Sequence, residues 1–275
     1  MTALATLAKR RPPGSFRRMW AVARRHAVVL CRTPHRLFDV TLWPLVDVML
    51  FGTLAVYASR ISGTGEVVVS YVLGGAVLWH IVYQSSIGLS TGFLEETWTR
   101  NLLNLMVTPI SEFEYVAGVA LFGLAKIVMG VAIASLGALA AYSFELGAVG
   151  WTLLPSAAVL LVIGWAIGLF VIGLVLRFGT GAEAMAWGVL FVVMPLSGTF
   201  TPVENLPGGL QPIARALPTT HVFSAVRSGV DGRGVDWNEL GVAAALTAVA
   251  VVAGLWWITA MLKVFRRRGY VTRYS

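Results

Sequence analysis

The chain has 275 residues, of which 57% are hydrophobic and 12% are charged, and its mean hydropathy is +0.77. This number of charged side chains is too small to cover the surface of a water-soluble globule. The composition therefore excludes a soluble protein and indicates an integral membrane protein. The formal net charge of +8 arises from Lys and Arg residues at the ends of apolar segments, which favours membrane topology over nucleic-acid binding as its cause.

The first predicted element is an amphipathic helix between Ser15 and Arg32. Arginines and apolar side chains recur on opposite sides of it: Arg17, Arg18, Arg24, Arg25 and Arg32 against Phe16, Trp20, Ala23, Ala27 and Leu30. This pattern is typical of a helix in the membrane interface. Its basic side fits anionic membrane lipid, with a contact to a cytosolic partner as the alternative.

Six apolar segments follow, each long enough to cross about 30 Å of hydrocarbon as a helix of roughly 20 residues. They cover approximately residues 37–58, 67–93, 115–142, 153–176, 184–200 and 240–264. We therefore predict an all-α integral membrane protein with six transmembrane helices. The expected division is a cytoplasmic tail with the interfacial helix over 1–36, a six-span domain over 37–264 and a basic cytoplasmic tail over 265–275.

The basic residues also predict the orientation, because cytoplasmic flanks of membrane spans retain Lys and Arg. These residues concentrate before the first span and after the last, and Arg100 and Arg177 lie in loops on the same side. The basic residues expected on the other side are Arg60, Arg215, Arg227 and Arg233. We expect a multi-pass protein of the inner (plasma) membrane with both termini in the cytoplasm. No cleavable signal peptide is evident at the N-terminus.

Two charges, Asp47 in the first span and Lys126 in the third, fall near the middle of their helices. A charge at this depth costs roughly 2.5–3.5 kcal/mol on insertion scales. A mutual ion pair would neutralise both charges, either as a fixed bridge or as a contact that breaks during transport. Neutralisation of each charge by a different partner is the alternative.

Small and aromatic residues within the spans have structural interpretations. Gly164 and Gly168 permit close approach of another helix, and we interpret them as internal packing before a dimer contact. Four aromatic residues are interpreted as interfacial anchors rather than as the lining of a pathway: Trp43, Trp79, Tyr83 and Trp187.

A short amphipathic helix is predicted in the cytoplasmic loop after the second span. Glu95 and Glu96 precede it, Pro109 ends it, and Ser111 with Glu114 forms a capping-box pattern for the third span. The residues that share its apolar face are Trp98, Leu102, Leu105 and Met106. Flanked by charges that include Arg100, this face either seals the loop against the bilayer or docks into a groove on another protein.

A proline-rich external segment separates the last two spans. Its prolines are Pro195, Pro202, Pro207, Pro212 and Pro218. They prevent a continuous helix, and unpaired backbone groups are tolerated at membrane depth only inside protein or along a wet cavity. We favour short half-helices that close the outer mouth of a pathway, with a simple external loop as the alternative.

The sequence gives no reason to expect a metal or nucleotide on this chain. Cys31 is the only cysteine, and the four histidines lack metal-ligand spacing. None of the three lysines follows a glycine, so the chain has no P-loop. If transport is ATP-driven, ATP binds to another chain.

Two segments resemble type-2 ABC exporter permeases, also called ABC-2 type permeases. Glu95-Glu96 followed by an amphipathic stretch that ends Val107-Thr108-Pro109-Ile110-Ser111 is similar to the family's coupling helix, which contacts the nucleotide-binding subunit. The stretch 196–207, continuing to 217–221 and Arg227, resembles the family's external segment, which re-enters the outer leaflet as half-helices. One departure is Thr99-Arg100-Asn101, where many members carry Gly-Thr.

The resemblance implies a permease subunit of an ATP-driven exporter, with no catalytic activity of its own. The implied ATPase contact comprises Glu95, Glu96, Trp98, Arg100, Leu102, Leu105, Met106 and Pro109. The implied external gate comprises Ser197, Gly198, Pro202, Pro207 and Pro218. ATP and Mg would bind to the partner ATPase, and a second permease subunit, identical or related, would complete the pathway.

The expected substrate is amphiphilic: a drug-like molecule, a lipid or a lipid-linked molecule moved out of the cytoplasm or inner leaflet. A polysaccharide on a lipid carrier also fits. Two other functions stay open from the residues alone. One is an ion-coupled transporter without an ATPase, which would use Asp47 and Lys126. The other is an intramembrane serine hydrolase with Ser197 as nucleophile and His80 or His221 as base.

Overall fold

The computed structural model describes residues 14–62, 66–98, 110, 112–178 and 183–267, and their regular structure is helical. The helices are α1 (Ser15–Arg32), α2 (Pro34–Ser62), α3 (Glu66–Trp98), α4 (Glu112–Tyr142), α5 (Leu153–Phe178), α6 (Glu183–Leu196), α7 (Gln211–Arg215), α8 (Pro218–Val230) and α9 (Trp237–Arg267). Two 3₁₀ segments, Leu146–Thr152 and Val203–Asn205, precede α5 and α7. This confirms the predicted all-α class.

Five of the described helices are long and apolar enough to cross a membrane. They contain the candidate spans Arg36–Ile61, Val67–Gly92, Ala117–Tyr142, Gly150–Phe178 and Trp237–Val264. The fifth predicted span corresponds to α6, which has 14 residues. At 1.5 Å per residue such a helix covers about 21 Å, which is less than the hydrocarbon core. The count of six spans therefore stays a prediction.

Helix α3 lies at the centre of the bundle. In the most apolar stretch of its candidate span, 67% of the residues are buried, compared with 17% in the spans of α4 and α9. It packs against α2, α4 and α5 and also contacts α6 and α8. On the far side of α5 lies α9. Because α3 is surrounded, Trp79 is a buried residue facing Phe223 and not an interfacial anchor, which corrects the interpretation from the sequence.

Glycines allow α5 to approach α3 closely. A Cβ at Gly164 would overlap the Ser85 hydroxyl and would lie 2.7 Å from the Val82 carbonyl oxygen. One turn later, a Cβ at Gly168 would lie 3.0 Å from the Ser86 carbonyl oxygen. The two glycines thus serve packing within the chain, as predicted.

Helix α1 has the predicted bounds, and it packs along the first half of α4. Arg18 donates a 2.7 Å hydrogen bond to the buried Glu114, and His26 stacks on Phe122. The predicted apolar face of α1 is divided between two environments. Ala23 and Leu30 are buried against the protein, whereas Phe16 and Trp20 are exposed. Of these four residues, Phe16 and Trp20 are the ones free to contact lipid.

We expect Arg18→Ala to destabilise the attachment of α1. The substitution leaves the Glu114 carboxylate buried without this donor, which costs about 1–3 kcal/mol. A double-mutant cycle with Glu114→Ala, read by thermal unfolding of the purified protein, should give a coupling above roughly 0.5 kcal/mol. Additive effects would show that the ion pair does not stabilise α1.

Candidate functional site

The external segment turns sharply after α6 and continues as short helices. The turn at residues 197–201, called the external turn below, contains Gly198 with φ +65°. Glycine adopts this left-handed conformation without the strain that a side chain would add. After the 3₁₀ segment, α7 has five residues and α8 has 13, so neither crosses a membrane alone. The predicted short helices are present; their depth in the membrane stays a prediction.

The predicted gate prolines delimit these short elements. Pro202 precedes the 3₁₀ segment Val203–Asn205, Pro207 lies in the exposed connection to α7, and Pro218 is at the start of α8. Proline is suited to the first turn of a helix because its missing N–H would have no partner there. The prolines therefore explain why the chain from 197 to 217 forms no long helix.

Hydrogen bonds join the external turn to α6 and α8. The Ser197 hydroxyl donates to the Val193 carbonyl at 2.6 Å and lies 2.6 Å from the Thr219 hydroxyl. Arg227 of α8 donates from Nη1 to the Gly198 carbonyl oxygen. Ser197 and Gly198 are thus linked through side chains to α8, two predicted gate residues brought together with Arg227.

The external turn also rests directly on α2 and α3. Gly75 of α3 lies so close to the turn that a Cβ there would overlap the Thr199 carbonyl oxygen. Phe200 stacks on Phe51 of α2, with 4.1 Å between ring centroids. Sequence reasoning missed Gly75, because the pair Gly74-Gly75 does not reveal which glycine faces the turn.

Polar contacts join α3, α8 and α9 at their ends near the external turn. Tyr71 donates a hydrogen bond to Asp231, and this bond, followed by the bond from Arg233, holds the pKa of Asp231 below its usual range. A carboxylate with a lowered pKa keeps its contact until the pH falls through that lowered value. His221 Nδ1 lies 2.7 Å from Glu239 Oε2. These contacts hold the short helices against the long ones.

The residues of the hydrolase alternative do not form a nucleophile–base pair. Ser197 is engaged with Val193 and Thr219, as described above. His221 uses its two ring nitrogens toward Glu239 and the Arg215 carbonyl oxygen. His80 lies on α3 beside Gly130 of α4. The arrangement gives no support to serine catalysis.

The two intramembrane charges lie at different heights along α4. Leu45 and Val48, which flank Asp47, contact α4 at Gly137. Lys126 precedes Gly137 by three helical turns, about 16 Å along the axis. The Asp47–Lys126 pair stays a prediction.

The predicted coupling residues lie only partly within the described structure. Glu95, Glu96 and Trp98 belong to the last turn and a half of α3, which ends at Trp98. The others lie outside the described residues: Arg100, Leu102, Leu105, Met106 and Pro109. Residues 1–13 of the predicted N-terminal division and residues 268–275 of the predicted C-terminal tail also lie outside them. The continuity of α3 up to Trp98 is nevertheless informative, since it brings this end of the helix to the start of the coupling segment, residues 95–111.

A bundle of long apolar helices defines a multi-pass membrane protein. The family model described as "ABC-2 type transporter" matches residues 17–230. The chain therefore belongs to the ABC-2 type transporter family. Members of this family are membrane subunits of transporters that are not catalytic, and the ATPase is a separate chain.

Two curated relatives come from Neisseria meningitidis and bear the name "Capsule polysaccharide export inner-membrane protein CtrC". The protein of serogroup B strain MC58 is 34% identical over 99 residues, which cover 34% of this chain and 37% of the relative. The protein of serogroup A strain Z2491 is 32% identical over 103 residues, which cover 35% of this chain and 39% of the relative. The chain thus matches less than two-fifths of each relative's length.

Proposed function

We propose that the chain is the permease subunit of an ATP-driven exporter. Two permease subunits, identical or related, would form the pathway, and two ATPase subunits would bind below them in the cytoplasm. The proposal is supported by family membership, by the predicted coupling segment and by the predicted cytoplasmic termini. In this arrangement six spans would cross the inner membrane, with α6 and the short helices that follow it forming the outer part of the fifth.

The observation that carries the mechanism is the unbroken helix α3. It has 33 residues and is about 50 Å long, and about 35 Å of this length separates Trp98 in the coupling segment from Gly75 at the external turn. A helix of this length that is packed on all sides moves as a rigid body. A push from the ATPase on the coupling segment would therefore shift the far end of α3 against Thr199 and open the external turn.

The substrate we propose is a polysaccharide carried on a lipid. The two relatives are named for capsule polysaccharide export, and the match to them suggests a substrate of this class. A lipid-linked glycan is one of the amphiphiles expected from the sequence, and a drug-like amphiphile is the competing substrate. Stimulation of the ATPase by a lipid-linked oligosaccharide, and not by drug-like amphiphiles, in nanodiscs containing the complex would support the glycan.

Co-purification from membranes tests the ATPase partner. We expect a P-loop ATPase to co-purify with the tagged chain and to be reduced by Glu96→Ala and lost with Leu102→Asp, because a carboxylate on the apolar face opposes docking in a groove. Asn104→Asp is the matched control, since it adds the same charge to the same segment on the other face. Mass spectrometry identifies the partner.

If no ATPase co-purifies under mild extraction, the ion-coupled transporter becomes the better proposal. If the ATPase binds wild type and both Asp variants equally, the exporter proposal holds but the coupling face is wrong. The two failures are therefore distinguishable.

A further inference from the structure

Helix α3 carries buried polar groups in the middle of its span that the transport proposal does not use. His80 and Gln84 are each only 2% exposed and lie one turn apart, so they share a face of the helix. Within the described part of the chain, both ring nitrogens of His80 and both amide heteroatoms of Gln84 have no hydrogen-bond partner. These are four strong hydrogen-bonding atoms at one level of the bundle.

The surroundings of these atoms explain why the protein does not pair them. Gly130 of α4 faces His80 and offers no side chain; a Cβ there would lie 2.5 Å from Nε2. On α3 itself, Val77 and Leu73 flank the same face one and two turns away and are fully buried.

Hydrogen-bonding atoms in an apolar medium cost free energy unless they find a partner. Within a membrane, neither bulk water nor lipid tails supply one. Ordered water is the small molecule that serves both donors and acceptors, and a buried water typically makes about three hydrogen bonds to such groups. A neutral imidazole has one N–H donor and one acceptor nitrogen, and a Gln amide has an NH₂ donor and an acceptor oxygen, so water can both donate to and accept from each group.

We propose that His80 and Gln84 form a hydrated site inside the bundle, between α3 and α4, that binds ordered water molecules. Water in this site completes the hydrogen bonds of His80 and Gln84. It also lets α3 shift relative to α4 without breaking a direct bond between side chains. The site is independent of the identity of the substrate.

Deuterium exchange at the C2 carbon of histidine imidazoles, followed by mass spectrometry of the purified chain in nanodiscs, tests the site. This exchange requires contact with water. His221, whose side chain is 19% exposed, serves as the internal standard for an imidazole that water reaches. We expect His80 to take up deuterium within about tenfold of the His221 rate, and Gln84→Leu to slow His80 at least about threefold by removing a group that holds the water. No uptake at His80 in wild type would overturn the proposal.

Thermal unfolding of Gln84→Leu distinguishes a hydrated amide from an amide with no partner, because the two predict changes in Tm of opposite sign. If water satisfies the amide, Gln84→Leu loses hydrogen bonds and Tm falls by about 2–6 °C. If the amide has no partner at all, an apolar side chain of similar size removes a penalty and Tm rises, which would contradict the proposal. Ser90→Ala is the matched control, because Ser90 is a buried hydroxyl of α3 that already donates to the Ser86 carbonyl oxygen at 2.8 Å, and it should change Tm by less than about 2 °C.

Discussion

Gly75→Ala is expected to abolish or strongly slow transport, whereas Gly74→Ala leaves it near the wild-type rate. The two glycines are adjacent on α3, but their surroundings differ. A Cβ at Gly75 would overlap the carbonyl oxygen of Thr199 and lie 3.1 Å from its carbonyl carbon. The nearest atom to a Cβ at Gly74 is the Phe144 ring at 3.6 Å, an ordinary contact.

The expected size of the effect follows from the atoms that collide. A backbone carbonyl cannot rotate away as a flexible side chain can, so either the external turn or α3 must move. Overpacking of this kind costs about 1–3 kcal/mol. The clash exists where the turn rests on α3, so the cost falls on the step that returns the turn to α3 in each cycle, and export slows by about fivefold to 150-fold.

A transport assay in proteoliposomes with the ATPase partner measures this prediction. Co-purification of the ATPase with Gly75→Ala shows that the variant is folded and assembled, since the coupling segment lies at the other end of α3. Wild-type transport by Gly75→Ala would mean that the external turn does not control the pathway. Equal loss in both variants would point instead to a general sensitivity of α3.

The sequence predicted the elements with strong periodicity or strong composition. Helix α1 has the bounds that its arginine spacing predicts, Ser15–Arg32. The long spans follow from apolar length, and α2 extends a few residues beyond its predicted range, to Pro34–Ser62. Composition fixes such elements because the bilayer, as a solvent, imposes the same requirement on every span.

The features that sequence reasoning missed depend on which helix lies beside which. The partner of Ser197 is Thr219, 22 residues later in the chain, and no local pattern connects them. The polar stretch Gln84-Ser85-Ser86 within an apolar span was a visible signal for a buried polar site. Its significance appears only when α4 is found against His80. The prediction of Trp79 as an interfacial anchor is wrong because the central position of α3 in the bundle depends on tertiary packing, which the sequence does not show.

Gly164→Ala is the second substitution with a large expected effect. It is expected to lower the stability of the protein, whereas a typical Gly-to-Ala change in a helix raises it. In a helix interior, Ala is favoured over Gly by up to about 1 kcal/mol. At Gly164 this gain is exceeded, because a Cβ would overlap the Ser85 hydroxyl and lie 2.7 Å from the Val82 carbonyl oxygen. Helices α3 and α5 would have to separate along the main contact of the bundle.

We expect Gly164→Ala to lower stability by about 1–3 kcal/mol, which corresponds to a fall in Tm of roughly 2–10 °C. Gly123→Ala in α4 is the matched control, since no atom lies within 4 Å of the position of its Cβ. That control should keep or raise Tm. Thermal unfolding of both variants in the same detergent tests this prediction. A Tm of Gly164→Ala equal to or above that of Gly123→Ala would show that α3 and α5 do not pack through this glycine, and would leave the surface of α5 open for contact with a second permease subunit.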